Sequence, residues 1–291
     1  MPWVVGTYPV KLAQEILIWG IFAMSLDLLM GYAGMISFGH SAFFGLGGYV
    51  AALCLKHWSP SLASAVLLPA VAAAVAGLVI GYLSIRVSGV YFIMLTLAFS
   101  QMLYAAAFST EWLGSSDGLP GVPRPSLPGV DLNLTPAFHL YVVVFFALAG
   151  VALNRIVHSP FGHVLRGIDD NAHRMAAVGY AVDRFKLVAF VVAAVVAGIA
   201  GSLYAQFNGY VSPEVLFWKT SGEALLMVII GGTGTLAGPV LGAAAFIGLQ
   251  SLVSSYTERW MLILGLTFVL LVLFTPGGIV GALRGRIGIR S

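Results

Sequence analysis

Charge is what this sequence has least of. Lysine, arginine, aspartate and glutamate make 9% of its 291 residues, against about 25% in a soluble globular domain. With 59% hydrophobic residues and a mean hydropathy of +0.97, the composition is that of an integral membrane protein. One cysteine, Cys54, excludes an internal disulfide and any cysteine-based metal cluster. The net charge of +3 is too small to point to nucleic acid. The start lacks a basic region followed by a small-residue cleavage site, so no cleavable signal peptide is expected. Alternating hydrophobicity is missing from the long apolar runs, which excludes a barrel and leaves helices. No Walker A sequence occurs, no His-Glu-x-x-His, and Gly-His-Ser-Ala-Phe is not a nucleophile elbow.

What is there is apolar and rich in glycine. Eight apolar blocks run over 9–31, 33–55, 62–83, 90–108, 137–156, 186–206, 222–254 and 259–275. Most approach the ~20 residues of a membrane span. The seventh is too long for one helix and carries Gly-Gly-Thr-Gly-Thr-Leu-Ala-Gly-Pro at 231–239, so it reads as two half-helices meeting at that break. The same glycines mimic a dinucleotide loop, but no soluble strand precedes them. The fold expected is an all-α polytopic membrane protein, a single domain of about 8–10 transmembrane helices with glycine-broken or re-entrant segments and an inverted repeat.

The stretch Gly31 to Tyr49 has glycine at 31, 34, 39, 45, 47 and 48, with Ser37, His40 and Ser41 among them. Unpaired polar groups at membrane depth cost several kcal/mol each, so such a stretch must be buried by protein or line a wetted path. Two readings are open: glycines for close helix packing, or a path lined by Ser37, His40, Ser41 and Tyr49. His40 either meets a ligand, senses protonation or ties a neighbouring helix to the break. Thr233 and Thr235 in the second break, and Glu223 ahead of it, are the counterparts, since interrupted segments in two halves of a membrane protein point to a site. Asp27, late in the first block, must be buried and paired or face water. Asn208 and Glu214 fall in an outward loop where an external partner would dock.

Cations set the orientation. Arg155, Arg166, Arg174, Arg184 and Lys186 fall in one loop, and Arg284, Arg286 and Arg290 in the C-terminal tail. Loop 157–185 and tail 276–291 are therefore expected in the cytoplasm, with the Arg86 turn. Loop 109–136, with Arg124 and prolines at 120, 123, 125, 128 and 136, falls outside. Within the cytoplasmic loop, Ser159 to Tyr180 reads as a short helix or helix pair, started by Pro160 and ended by Gly179. Phe161, Leu165 and Ile168 share one face, and Met175 and Val178 continue it. That face suits a lipid surface or the groove of a cytoplasmic partner. With three acids beside five cations and no polybasic run, the partner is favoured.

Four stretches carry a family resemblance. They are Gly31 to Tyr49; Arg86-Val-Ser-Gly-Val-Tyr-Phe-Ile-Met-Leu-Thr-Leu-Ala-Phe99; Ser-Pro-Phe-Gly…Leu-Arg-Gly-Ile…Asn over 159–171; and Gly222 to Gly242. In that order they resemble the LivM-type permeases of branched-chain amino acid ABC transporters, over about residues 15 to 281. The resemblance implies a multi-pass subunit of the bacterial inner membrane that performs no bond chemistry and holds no cofactor. It pairs with a LivH-type permease, two cytoplasmic ATPases that consume the ATP, and a periplasmic binding protein. Phe161, Gly162, Leu165, Arg166, Ile168 and Asn171 match the loop that seats in the ATPase, whereas 172–178 departs from the more acidic run usual there. Any helix that longer members carry before the first block is not expected. Related permeases serve urea, short amides and other small hydrophobic acids. A stand-alone channel or carrier would place paired charges in its spans, and a membrane enzyme would show a catalytic cluster.

Overall fold

A computed structural model of the chain describes residues 7–58, 60–126, 128–257, 259–274 and 277–281. The tail cations Arg284, Arg286 and Arg290 lie outside the described residues. Among those described there are ten α-helices: α1 (Thr7–Ala33), α2 (His40–His57), α3 (Leu68–Ser84), α4 (Val90–Ser109), α5 (Thr135–Val157), α6 (Pro160–Ala177), α7 (Val182–Asn208), α8 (Trp218–Gly231), α9 (Ala237–Ser254) and α10 (Trp260–Phe274). A π-helical turn, Ala63–Leu67, leads into α3. Six of the helical segments are long and apolar enough to cross a membrane, so the chain is a multi-pass all-α membrane protein. The seventh apolar block is divided as its glycines predict, into α8 and α9 with a turn at 232–236. The second block is not one helix from residue 33. Residues 34–39 are non-helical and α2 starts only at His40.

The order of crossings follows from the loops. The turn after α3 and the start of α7 lie beside Gly34, since Ile85, Val87, Lys186 and Gly34 share one small cavity. This end also carries α6. At the opposite end, Leu119–Pro120 pairs antiparallel with Tyr210–Val211, which ties the proline-rich loop to the segment after α7. Arg124 stacks over Phe138, 4.0 Å from the ring centroid, and donates to the Leu132 carbonyl at 2.7 Å. Its surroundings weaken the guanidinium's hold on its proton by desolvation, and Asp131 partly restores it.

The two halves repeat one motif upside down. Helices α1 and α7 each have 27 residues. The glycines that follow, Gly34 and Gly209, both have φ of +66°, a conformation in which any other L-residue is strained. A break in the α-helix follows each: non-helical residues 34–39 at the α6 end, and at the other 209–217, which holds the short strand Tyr210–Val211 and a 3₁₀ turn, Pro213–Leu216. A shorter helix then starts inside the bundle, α2 in one half and α8 in the other. This inverted pairing makes 209–217 the counterpart of 34–39. The 231–239 break, which the sequence pairs with 31–49, is instead the turn from α8 to α9.

Helix α2 lies inside the bundle and packs most closely on α7 and α3. Its glycines are the reason. A Cβ on Gly47 would fall on the carbonyl of Gly198, and one on Gly201 would fall on that of Phe44. Small residues on both helices let the backbones touch, which is how helices gain packing energy in lipid. Helices α3, α4 and α5 turn large apolar side chains outward.

Candidate functional site

Three places hold the polar groups singled out by the sequence. The first lies where α2 begins. His40 is fully buried and stacks on Phe22 at 5.4 Å. The Ser25 hydroxyl donates to the Phe22 carbonyl at 2.6 Å, so its lone pair receives the His40 Nε2 hydrogen at 2.8 Å. That assigns the Nε2–H tautomer and leaves Nδ1 a bare acceptor, buried with no partner. Ser41 donates its backbone N–H to Ser221 Oγ of α8 at 2.7 Å. Its hydroxyl lies 3.0 Å from Ser100 Oγ and 3.1 Å from the Leu216 carbonyl. Ser41 therefore bonds across the bundle rather than back along its own helix. Ser37 Oγ accepts from the Gly39 N–H at 3.3 Å, closing the break locally. These bonds satisfy donors that a helix starting inside protein leaves unpaired. Tyr49 is buried in a second apolar cluster with Ala52, Leu119 and Val211.

The second place is the α8–α9 turn. Asp27, fully buried on α1, accepts the Gly234 N–H on Oδ1 at 2.9 Å, and Gly31 packs against Gly234. Thr235 Oγ1 donates to the Gly232 carbonyl at 2.8 Å and accepts from the Gly238 N–H. Thr233 is exposed. The two glycine-rich breaks thus touch each other through Gly31 and Gly234, backbone against backbone.

The third is a cleft of about 400 Å³ formed by α1, α2, α4, α7, the re-entrant segment 209–217 and α8. Trp19, Phe44 and Tyr204 line one side, with ring centroids 5.3–6.1 Å apart. Tyr104 and Phe217 line the other, 5.0 Å apart. Glu214, Lys219 and Glu223 supply its charges, and Lys219 Nζ stands 3.8 Å from Glu223 Oε1. The depth is set by Ser100, halfway along α4, whose hydroxyl donates to the Leu216 carbonyl at 2.7 Å. Segment 209–217 therefore dips to the middle of the bundle before α8 starts. Of the seven residues expected along a path, Glu223 lines this cleft, whereas Ser37, His40, Ser41 and Tyr49 are enclosed and Thr233 and Thr235 sit in the α8–α9 turn. Sequence reading missed Lys219, Trp19, Tyr104 and Tyr204. Lys219, just ahead of the seventh apolar block and four residues before Glu223, was the available signal.

Helix α6 completes the set. Ser159 caps it by accepting from the Gly162 N–H at 3.4 Å, and Pro160 takes the first turn. At Asn171 the backbone leaves helical geometry (φ −163°, ψ 95°). Its Oδ1 then accepts the Arg174 N–H at 2.9 Å, as a cap does for a second short helix. The apolar face is filled by the chain itself, because Leu165 and Ile168 are buried and Phe161 stacks on Phe185 of α7 at 5.5 Å. That corrects the expectation of an open face. The kink also removes its continuation, leaving Val178 71% exposed. Gly162 is buried against the backbone carbonyls of Ile156 and Val157. Arg166 stands 5.0 Å over the Tyr32 ring, and Asp169 lies against Gly34. Burial, and then Asp170 beside it, hold the Asp169 carboxyl above the usual aspartate range.

Comparison with known proteins supplies a family. The model of a family described as branched-chain amino acid transport system / permease component matches residues 8–273. The chain is similar to the high-affinity branched-chain amino acid transport system permease protein LivM of Escherichia coli (strain K12), 25% identical over 314 residues, covering 100% of this chain and 74% of that protein. It is similar to the corresponding LivH of the same organism, 24% identical, over 90% of this chain and 91% of that protein. A probable LivM of Methanocaldococcus jannaschii is 24% identical over 89% of this chain and 86% of its own length. No solved structure matches.

Proposed function

The chain belongs to the branched-chain amino acid transport permease family and is of the LivM type, and from that membership we propose that it is one membrane subunit of an ATP-driven importer of branched-chain amino acids. The observation that carries the reading is the family match over residues 8–273, which takes in the bundle from α1 to α9 and the amphipathic α6. In this reading the path forms with a LivH-type permease in the bacterial inner membrane. A periplasmic binding protein delivers substrate, and two cytoplasmic ATPases bind and hydrolyse ATP.

Helix α6 is the element that receives the stroke. Phe161, Gly162, Leu165 and Ile168 fix it to its own bundle, and its exposed polar residues, Arg166 and Asn171 among them, meet the ATPase. A rigid element seated on α1 and α7 transmits motion as a body rather than dissipating it in side chains. Of the helices it touches, α1 and α7 precede the two re-entrant breaks. Movement of α6 therefore reaches α2 directly through the end of α1, and α8 through the length of α7.

The decisive measurement is uptake of L-leucine into proteoliposomes holding this chain with its proposed partners. Uptake is expected only with ATP inside the compartment of the ATPases. Uptake by the chain alone, without nucleotide, would overturn the reading. Arg166→Glu should remove uptake while leaving insertion intact, because it reverses charge on the exposed face. Gly162→Trp is a poorer probe, since its side chain would collide with the α5–α6 backbone.

A further inference from the structure

Charged side chains halfway across an apolar bundle are costly and belong to cavities rather than to lipid. Lys219 and Glu223 are such a pair, one helical turn apart on α8, close to the level of Ser100 and Leu216. At 3.8 Å their heads are farther apart than a hydrogen bond, and 55% of the Lys219 side chain stays accessible. Neither charge is used up by the other. Glu214 adds a second carboxylate, and Trp19, Phe44 and Tyr204 form a continuous aromatic wall.

We propose that this cleft is a binding site for a free α-amino acid with a branched aliphatic side chain. Lys219, helped by the N-terminal end of α8, takes the carboxylate. Glu223 takes the ammonium, and the rings of Trp19, Phe44 and Tyr204 cover the side chain. The inference rests on the import function proposed above and adds to it the residues that hold the substrate inside the membrane. The three chemical parts of the ligand each have a matching wall, and about 400 Å³ lies in the ordinary range for a small-molecule site. A ligand without both charges, such as a short amide, would leave Lys219 or Glu223 unanswered.

The test uses the full transporter in proteoliposomes, with L-leucine as probe. Lys219→Met and Glu223→Gln should each lower ATP-driven uptake roughly ten- to a hundred-fold, as loss of a hydrogen bond to a charged group does. Both should still co-purify with the partner subunits. If the wild-type assembly itself shows no ATP-driven uptake, the import function fails. If wild type transports and both variants match it, the import function stands and the cleft assignment falls. A Lys219→Glu/Glu223→Lys double variant keeps the helical ion pair but inverts the site. It should stay as poor as the single variants, and recovery to wild-type uptake would reduce the pair to helix stabilisation. Should the single variants fail to fold, the wild-type chain still decides. L-leucine should change the fluorescence of Trp19, identified by its loss in Trp19→Phe, whereas leucinol and 4-methylpentanoate, each lacking one charge, should not. An equal response to all three would overturn the assignment.

Discussion

The two re-entrant breaks share a plan and differ in what surrounds them. In the first, 34–39 leads to α2, and every polar side chain at the junction is enclosed: Ser37, His40 and Ser41 show no exposed surface. In the second, 209–217 leads to α8, and the junction opens on a cleft that carries Glu214, Lys219 and Glu223. Glycine makes the difference. Those of α2 and α7 bring two backbones into contact, which leaves no room for solvent. In α8 the first turns instead present Lys219, Thr220 and Glu223 to the cleft, while Ser221 ties the same turn to Ser41 of α2. The closed break fixes the frame, and the open one is free to meet a ligand.

That contrast can be broken experimentally, most drastically at the glycines. Gly47→Val should prevent recovery of monodisperse protein in detergent. Its obstacle is the Gly198 backbone, so the cost exceeds the about 1–3 kcal/mol of ordinary overpacking. Gly248→Ala, at a helical glycine with nothing within 4 Å, should instead stabilise by about 0.5–1 kcal/mol in a thermal melt. Survival of the first variant would mean that α2 is not packed as described.

His40 gives the next largest effect. His40→Ala opens a cavity beside Phe22 and should cost about 2–4 kcal/mol. His40→Phe keeps the ring stack, loses only the bond to Ser25, and should cost about 1 kcal/mol. Uptake per folded molecule should remain near wild type in His40→Phe, the reverse of Glu223→Gln, which should fold normally and lose roughly ten- to a hundred-fold in uptake. If His40→Phe abolishes uptake at normal stability, the closed break takes part in the path.

Smaller effects belong to α6. Asn171→Ala removes the cap of its second half and should cost about 1 kcal/mol of local stability, read as faster amide exchange over 172–177. Asp169→Asn should raise the melting temperature slightly at neutral pH. Because the folded carboxyl is held above its ordinary range, stability is lost as pH rises through that range, and the advantage of Asn should vanish in acid. No pH dependence in the difference would place Asp169 in ordinary solvent.

Much of this was legible in one dimension. Hydropathy alone separates the spans, because about 20 consecutive apolar residues have few other uses. The Gly231–Pro239 run marks the end of α8 and the start of α9. Ser159-Pro160 marks the start of α6, because capping is local. The site was harder to read. Glycine density drew attention to 31–49, but glycine reports only that backbone comes close to something. Whether that neighbour is a ligand or another helix is a fact about α7, which begins 133 residues beyond Tyr49. The amphipathic face of α6 was visible at Phe161, Leu165 and Ile168, yet amphipathicity does not name the surface that covers it.

The sequence by itself determined a helical membrane protein, its family, the order of its spans and the places where helices stop. These follow from local composition and backbone freedom, which need no partner. Only the tertiary structure decided that 34–39 and 209–217 are inverted counterparts, that His40 is enclosed, and that Lys219 and Glu223 share a cleft with Trp19 and Tyr104. Most of those relations join residues far apart in sequence, 85 positions between Trp19 and Tyr104 and 204 between Trp19 and Glu223, and which long-range surfaces meet depends on the packing of the whole bundle.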